Sequence, residues 1–446
     1  MSGLARALPD GWQKLRYRTV PVDSREAVDG AWLALGDPLA EGMVLASGER
    51  LIAAAGVAAR ACFPCGLAEP GRAAGILDDL RAIPGQDDMR VPGSGPVLLG
   101  ALPFDREEPC SLLLPAVAYG RDSHGRAWVT RVSDTGADLE GGWAPDQIRE
   151  MLGSEGPVPH GDSRGVESAV SVLEHPTADQ FVSMVGRALD RLAAHEIQKV
   201  VLARSVSVTT ASPAIPYRVY HRFSQAEPSA FAFGRTSSTG AFIGASPELL
   251  VSRMGTRVLS EPLAGTVELD PADPAATDRT TALEASPKER SEHNLVVESV
   301  AGVLAAVCES LQVPDAPRIR RLSSLAHLAT PISGHLSAGF AGTGALELAA
   351  SLHPTPAVAG SPRDRALELI RELEGDLRGL YAGPVGWMDA RGDGEFAVAI
   401  RSVALRASLA YACAGAGIVA GSDPGRELAE TAAKLRPALY ALGIEH

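Results

Sequence analysis

No apolar run in the sequence approaches the roughly 18–20 residues that a bilayer-spanning helix needs. The opening segment, MSGLARALPDGWQKLRYRTV, lacks the apolar centre of a secretory signal, so the expected location is the cytoplasm. Positive charge is also scarce: 41 Lys and Arg stand against 54 Asp and Glu, a net charge of -13. That balance argues against nucleic acid or an anionic membrane as the main partner, and an anionic ligand would need cations gathered locally. Cysteines number only five. Cys62-Phe-Pro-Cys65 has C-x-x-C spacing but no second pair of ligands at a zinc-site interval, and an odd count without a secretory signal reads as free thiols. There is no Walker motif, no nucleophile elbow, no H-E-x-x-H and no internal repeat.

What remains is a chain of 446 residues, 46% hydrophobic and 21% charged, in the range of soluble globular proteins. Strand-like runs joined by Gly/Pro turns open it, at Gly42–Ala46 and Gly95–Leu99. GSEGPVPHGDSRG, residues 153–165, is the candidate linker. Thr177-Ala-Asp-Gln180 reads as a capping box, followed by helical periodicity through Leu192. Lys199–Val208 reads as a strand, and 241–253 with 257–263 as two more around Met254-Gly-Thr256. Ser286-Pro287-Lys-Glu289 opens another helix, 396–405 and 409–414 form a hairpin, and Asp423-Pro424 starts the last helix. Short-linked strands with helices between them imply antiparallel sheet and an α+β fold.

Two of those helices carry Glu-x-x-Glu: Glu289 with Glu292, and Glu427 with Glu430. At i,i+3 each pair projects from one helical face. Four facing carboxylates would repel unless a cation lay between them, and oxygen-only ligands suit Mg²⁺. Each pair has an ordinary alternative, since Glu289 can cap its helix and Glu430 can pair with Lys434. Lys199, at the start of an apolar strand, could be desolvated into a usable base or could reach solvent. Arg401 reads as strand-borne beside Ala397 and Ala399, where a buried guanidinium needs either a ligand carboxylate or an internal acid. Gly415-Ala416-Gly417 has the wrong spacing for a dinucleotide fingerprint but could offer backbone N–H groups to an anion as a flexible segment.

The chain resembles the chorismate-utilising enzymes, which include isochorismate, salicylate, anthranilate and aminodeoxychorismate synthases. The matching blocks run in order over about residues 175–440: KVVLARS, FIGASPELLV, EPLAGT, SPKERSEHNLVVE, LAHLATPISGHL, LHPTPAVAG, YAGPVGWMDARGDGEFAVAIRS and GAGIVAGSDPGRELAETAAKL. GALPFD from Gly100 is a weaker match.

The resemblance implies one unit spanning 1–446, layered antiparallel sheets flanked by helices, with 1–170 the more variable part and 171–446 carrying the motifs. The 153–165 stretch then becomes a surface loop. It implies Mg²⁺ held by Glu292 and Glu430, with Glu289 and Glu427 as an outer pair acting through water. Lys434 would lie near the ring carboxylate of chorismate, which Gly265 and Thr266 also contact. Tyr381, Arg401 and the backbone of Gly415, Ala416 and Gly417 would bind the enolpyruvyl carboxylate, and His327 would line the pocket. Lys199 matches the general base of the water-using members, and Glu248 the acid that protonates the departing C4 hydroxyl. Ala264 stands where aminodeoxychorismate synthases carry a nucleophilic lysine. The resemblance implies an isochorismate synthase, a monomer without an obligate protein partner, feeding menaquinone or siderophore synthesis. A salicylate synthase is the alternative.

Overall fold

The computed structural model describes residues 12–22, 34–36, 41–69, 71–135, 139, 169–269 and 276–444. The 153–165 stretch lies outside the described residues. The architecture is α+β, as the strand and helix pattern implies. A 13-stranded sheet, a 9-stranded sheet and a small 3-stranded sheet carry helices on their outer faces. Nearly all pairing is antiparallel; Arg16–Val22 against Gly85–Asp87 is parallel.

Both large sheets mix early and late parts of the chain. Gly42–Ser47 pairs with Phe231–Ser237 in the large sheet, and Val97–Ala101 with Pro384–Asp389 in the second. The inner faces meet in an apolar layer that includes Met43, Leu99, Phe233, Val385 and Trp387. Burial of apolar area of this kind is the main favourable contribution to folding in general.

The helices begin where their caps direct. Thr177 and Gln180 form the reciprocal capping box of Ala178–Ala193. Asp423 accepts from the Arg426 N–H at 2.9 Å to open Pro424–Ala441. At Pro287–Ala305 only the serine half of the box forms: Ser286 Oγ accepts from the Glu289 N–H at 3.3 Å, and the Glu289 side chain turns elsewhere.

Three strand readings need correction. Residues 241–253 are not one strand but two, Gly240–Ser246 in the large sheet and Leu249–Met254 in the second. Residues 396–405 likewise divide into Gly394–Val398 and Ser402–Arg406, again one in each sheet. Residues 257–263 break at Pro262, which has no N–H for a ladder, into Arg257–Glu261 and Leu263–Glu268. The first two breaks lie side by side. Gly244 pairs with Ser402 before the crossing, and Leu249 pairs with Ala397 after it. Two adjacent strands therefore leave one sheet for the other together, and the gap they leave holds Glu248 and Arg401.

Candidate active site

Arg401 does not share a strand face with Ala397 and Ala399. It sits in the crossing with φ 53°, a left-handed conformation that costs a non-glycine residue about 1–3 kcal/mol. Its guanidinium is buried, and burial lowers its pKa. Nη2 lies 3.3 Å from His327 Nε2, while Nε is buried without a hydrogen-bond partner. Among the described residues Arg401 makes no ion pair. Of the two alternatives open from sequence, an internal acid is thus not the one found; the arginine is left with donors for an incoming anion.

His327 is fixed as a neutral tautomer. Its Nδ1 lies 3.1 Å from the Gly265 carbonyl, which can only accept, so Nδ1 carries the proton and also lies 3.2 Å from Thr266 Oγ1. Nε2 is left bare to accept from Arg401. Burial, with Arg401 and Lys434 nearby, holds the ring well below the usual histidine range. Gly265 is the extra residue of a bulge between Leu263–Glu268 and Leu325–Ala329, at φ 69°. A Cβ there would press against the Glu289 carboxylate, so glycine serves both the turn and the close approach.

Glu248 occupies the other crossing, 3% exposed. Burial pushes its carboxyl up to about 7, against the Leu263 N–H and the cations Lys199, Arg401 and Lys434. Its carbonyl accepts from the Val398 N–H at 3.1 Å, which ties the two crossings together.

Gly415 and Gly417 belong to an ordered strand, Leu409–Val419, rather than to a flexible segment. This strand pairs along its length with Lys199–Thr210, but its other edge pairs with Ser402–Arg406 only as far as Ala412. The N–H of Val201 bonds to Ala359 and that of Ala203 to Glu374, both away from the glycine strand. Their partners Gly417 and Gly415 therefore form non-hydrogen-bonded pairs and direct their own N–H groups to the open edge. A Cβ on Gly417 would collide with the Glu292 carboxylate. Ala416, between them, bonds into the ladder. Tyr381 is buried nearby, its hydroxyl held above the usual range by burial.

The charged residues meet at the other side. Lys199, 1% exposed, is ion-paired through Nζ with Glu292 at 2.9 Å, so it neither reaches solvent nor stands free. Lys434 pairs with Glu430 at 2.6 Å and donates to the Gly415 carbonyl at 3.0 Å. Lys288 pairs with Glu427 at 3.2 Å and approaches Glu289 at 3.9 Å. Burial, then Glu292, pushes Glu289 up to about 7; burial and Glu430 raise Glu427. Among the described residues no three His, Cys, Asp or Glu side chains converge closely enough to hold an ion as they stand. Each acidic pair is instead faced by lysine. The set still has the chemistry of a hard-cation site, four carboxylates on two facing helices.

One cavity collects these groups. Glu248, Gly265, Thr266, Glu292, His327, Tyr381, Arg401, Gly415, Gly417, Glu430 and Lys434 all line it. Lys199 enters beneath through Glu292; Glu289 and Glu427 flank it without lining it. Val201, Ala357, Val358, Arg378 and Ile400 also line it and were not singled out from sequence as site residues. Ala357 and Val358 lie within the quoted LHPTPAVAG block, but an apolar wall residue has no chemical signature of its own. Cys62 and Cys65 are exposed free thiols elsewhere.

The family description "Chorismate binding enzyme" matches residues 76–443. This chain belongs to the chorismate-binding enzyme family. It is 40% identical over 279 residues to isochorismate synthase DhbC of Bacillus subtilis, covering 61% of this chain and 69% of that one. It is 34% identical over 359 residues to isochorismate synthase EntC of Escherichia coli, covering 80% and 84%. The solved structure of MenF, the menaquinone-specific isochorismate synthase of Escherichia coli, superimposes with a TM-score of 0.78 at 27% identity, covering 96% of this chain and 94% of that one. As a chorismate-binding enzyme the chain has no helix, among its described residues, long and apolar enough to cross a membrane.

Proposed function

We propose that this chain is an isochorismate synthase, an isomerase that converts chorismate to isochorismate. The observation that carries the reading is the cavity itself: an acid raised to about 7 at Glu248 and unpaired anion donors at Arg401 line one space, with buried Lys199 behind its Glu292 wall. The relatives' names agree with that chemistry.

Chorismate is a dianion, and the acidic surface must be offset inside the site. Arg401, Tyr381 and the N–H groups of Gly415 and Gly417 bind the enolpyruvyl carboxylate, with Ala416 holding the strand between them. Gly265, Thr266 and Lys434 face the ring carboxylate, and His327 fixes Arg401. Glu292 and Glu430 are the direct ligands proposed for Mg²⁺, with Glu289 and Glu427 acting through water. Bound there, the ion would supply positive charge against the ring carboxylate.

Lys199 removes a proton from water, which adds at C2 of the ring. The two ring double bonds shift, and Glu248 protonates the hydroxyl that leaves from C4. One water enters and one departs, so the net reaction is an isomerisation. Lys199 is ion-paired to Glu292 at 2.9 Å, and acting on water requires that carboxylate to turn to another cation when the site is loaded. Ala264 offers no amine for a covalent adduct, in keeping with water as the nucleophile.

The test is product identification after incubation with chorismate and Mg²⁺, with and without ammonia. Isochorismate as the accumulating product supports the reading. Salicylate, an aminated product or no turnover overturns it.

A further inference from the structure

Arg378 and Glu374 belong to no part of the reaction described above, yet their pairing is the most completely bonded of the buried ion pairs. Both side chains are almost fully buried and meet through two parallel bonds: Arg378 Nε donates to Glu374 Oε2 and Nη2 to Oε1, each at 2.7 Å. Nη1 also donates to the Val358 carbonyl at 2.6 Å, and Nη2 to the Val201 carbonyl at 2.7 Å. Glu374 Oε1 accepts from the Ala203 N–H at 2.8 Å. The guanidinium lies 4.2 Å from the Phe104 ring centroid, and its own carbonyl accepts from the Tyr381 N–H at 2.9 Å.

The contacts to Val201, Val358 and Tyr381 end on the wall of the cavity. Val201 and Ala203 lie two and four residues from Lys199 on the same strand, Val358 is opposite, and Tyr381 is at the anion end. Arg378 itself faces the cavity on one side and an outer groove beside Phe104 on the other. We propose that Arg378 and Glu374 are positioning residues: a buried clamp that holds the Lys199 strand, the Val358 loop and Tyr381 in one register, and so sets the base against the substrate. The planar fork matters, because it binds two carbonyls and one carboxylate in fixed directions, which a lysine cannot do. The clamp does not touch the reacting atoms. It rests on the reading of Lys199 as the base.

Steady-state kinetics of the full chain with chorismate and Mg²⁺ tests this, using Glu374→Gln, Arg378→Lys and Arg378→Met, with the folded fraction at assay temperature measured by circular dichroism. In folded enzyme kcat should fall about tenfold to a hundredfold in Arg378→Met, because small misplacements of a catalytic group are costly. KM for chorismate should move by less than about threefold, and Arg378→Lys should recover part of kcat. If Arg378→Met does not fold, Glu374→Gln carries the same kcat comparison. A loss of rate matched by the loss of folded protein, or a rise in KM at unchanged kcat, overturns the clamp. Lys199→Ala assayed alongside separates the two ideas. If it stays active while folded clamp variants lose kcat, the base assignment fails and the base-positioning proposal with it; an inactive Lys199→Ala beside unimpaired clamp variants overturns the clamp alone.

Discussion

Glu248 shows how burial turns an ordinary carboxyl into a usable acid. Raised to about 7, it is protonated below that pH and loses its proton above it, so the rate that depends on it should fall on the alkaline side. A pH profile of kcat/KM should therefore show an alkaline limb near neutrality. Glu248→Gln should lower kcat by about 10²–10⁴-fold and remove that limb from what activity remains. Lys199 makes the complementary prediction. Lys199→Ala should abolish water addition while chorismate and Mg²⁺ still bind, seen as a thermal shift with each ligand and no product; unchanged turnover would remove the base assignment. Without the resemblance, Arg401 was legible in sequence as a residue needing either a ligand carboxylate or an internal acid. Its buried, unpartnered Nε is what turns that need towards a ligand.

At the scale of elements, two capped helices bring four glutamates to one end of the cavity. Their starts were readable, since Ser286, Pro287, Asp423 and Pro424 are local signals. That the two helices would face each other was not, because facing is set by how strands far apart in sequence pair. The raised Glu289 gives a metal prediction with a definite sign. Its folded value of about 7 lies above the usual 4.5, so without a cation its ionisation opposes the fold as pH rises between those values. Mg²⁺ should therefore raise the melting midpoint more at pH 8 than at pH 5. Removing the ion with a chelator should reverse the shift, and Glu289→Gln should flatten its pH dependence; an equal shift at both pH values would count against this carboxylate as part of the site.

For the whole molecule, buried neutral histidines limit tolerance of acid. His353 is buried away from the cavity, lies 2.9 Å from the Phe104 carbonyl through Nε2, and is held down to about 4 by burial. The unfolded chain takes up a proton below about 6.5, while the folded protein resists it until about 4. Stability from this residue is thus complete above 6.5 and is lost as pH falls through that window, on the order of 3 kcal/mol by pH 4. Urea unfolding at pH 7 and pH 4.5 should show the loss, and His353→Gln, which keeps a donor to the carbonyl, should shrink it.

Side-chain periodicity, caps and turns are short-range properties, and they already determined the α+β class and the helix starts. The resemblance of the motif blocks added the expected roles of acid, base and ligand to Glu248, Lys199 and the four glutamates. Only tertiary structure decided where the strands break. Residues 241–253 and 396–405 each read as a continuous strand because local pattern cannot tell which sheet a residue will join. Pairing between Gly244 and Ser402, then between Leu249 and Ala397, made both strands cross together. That shared crossing opens the gap in which Glu248 and Arg401 are buried side by side, and desolvation in that gap gives the two groups their chemistry.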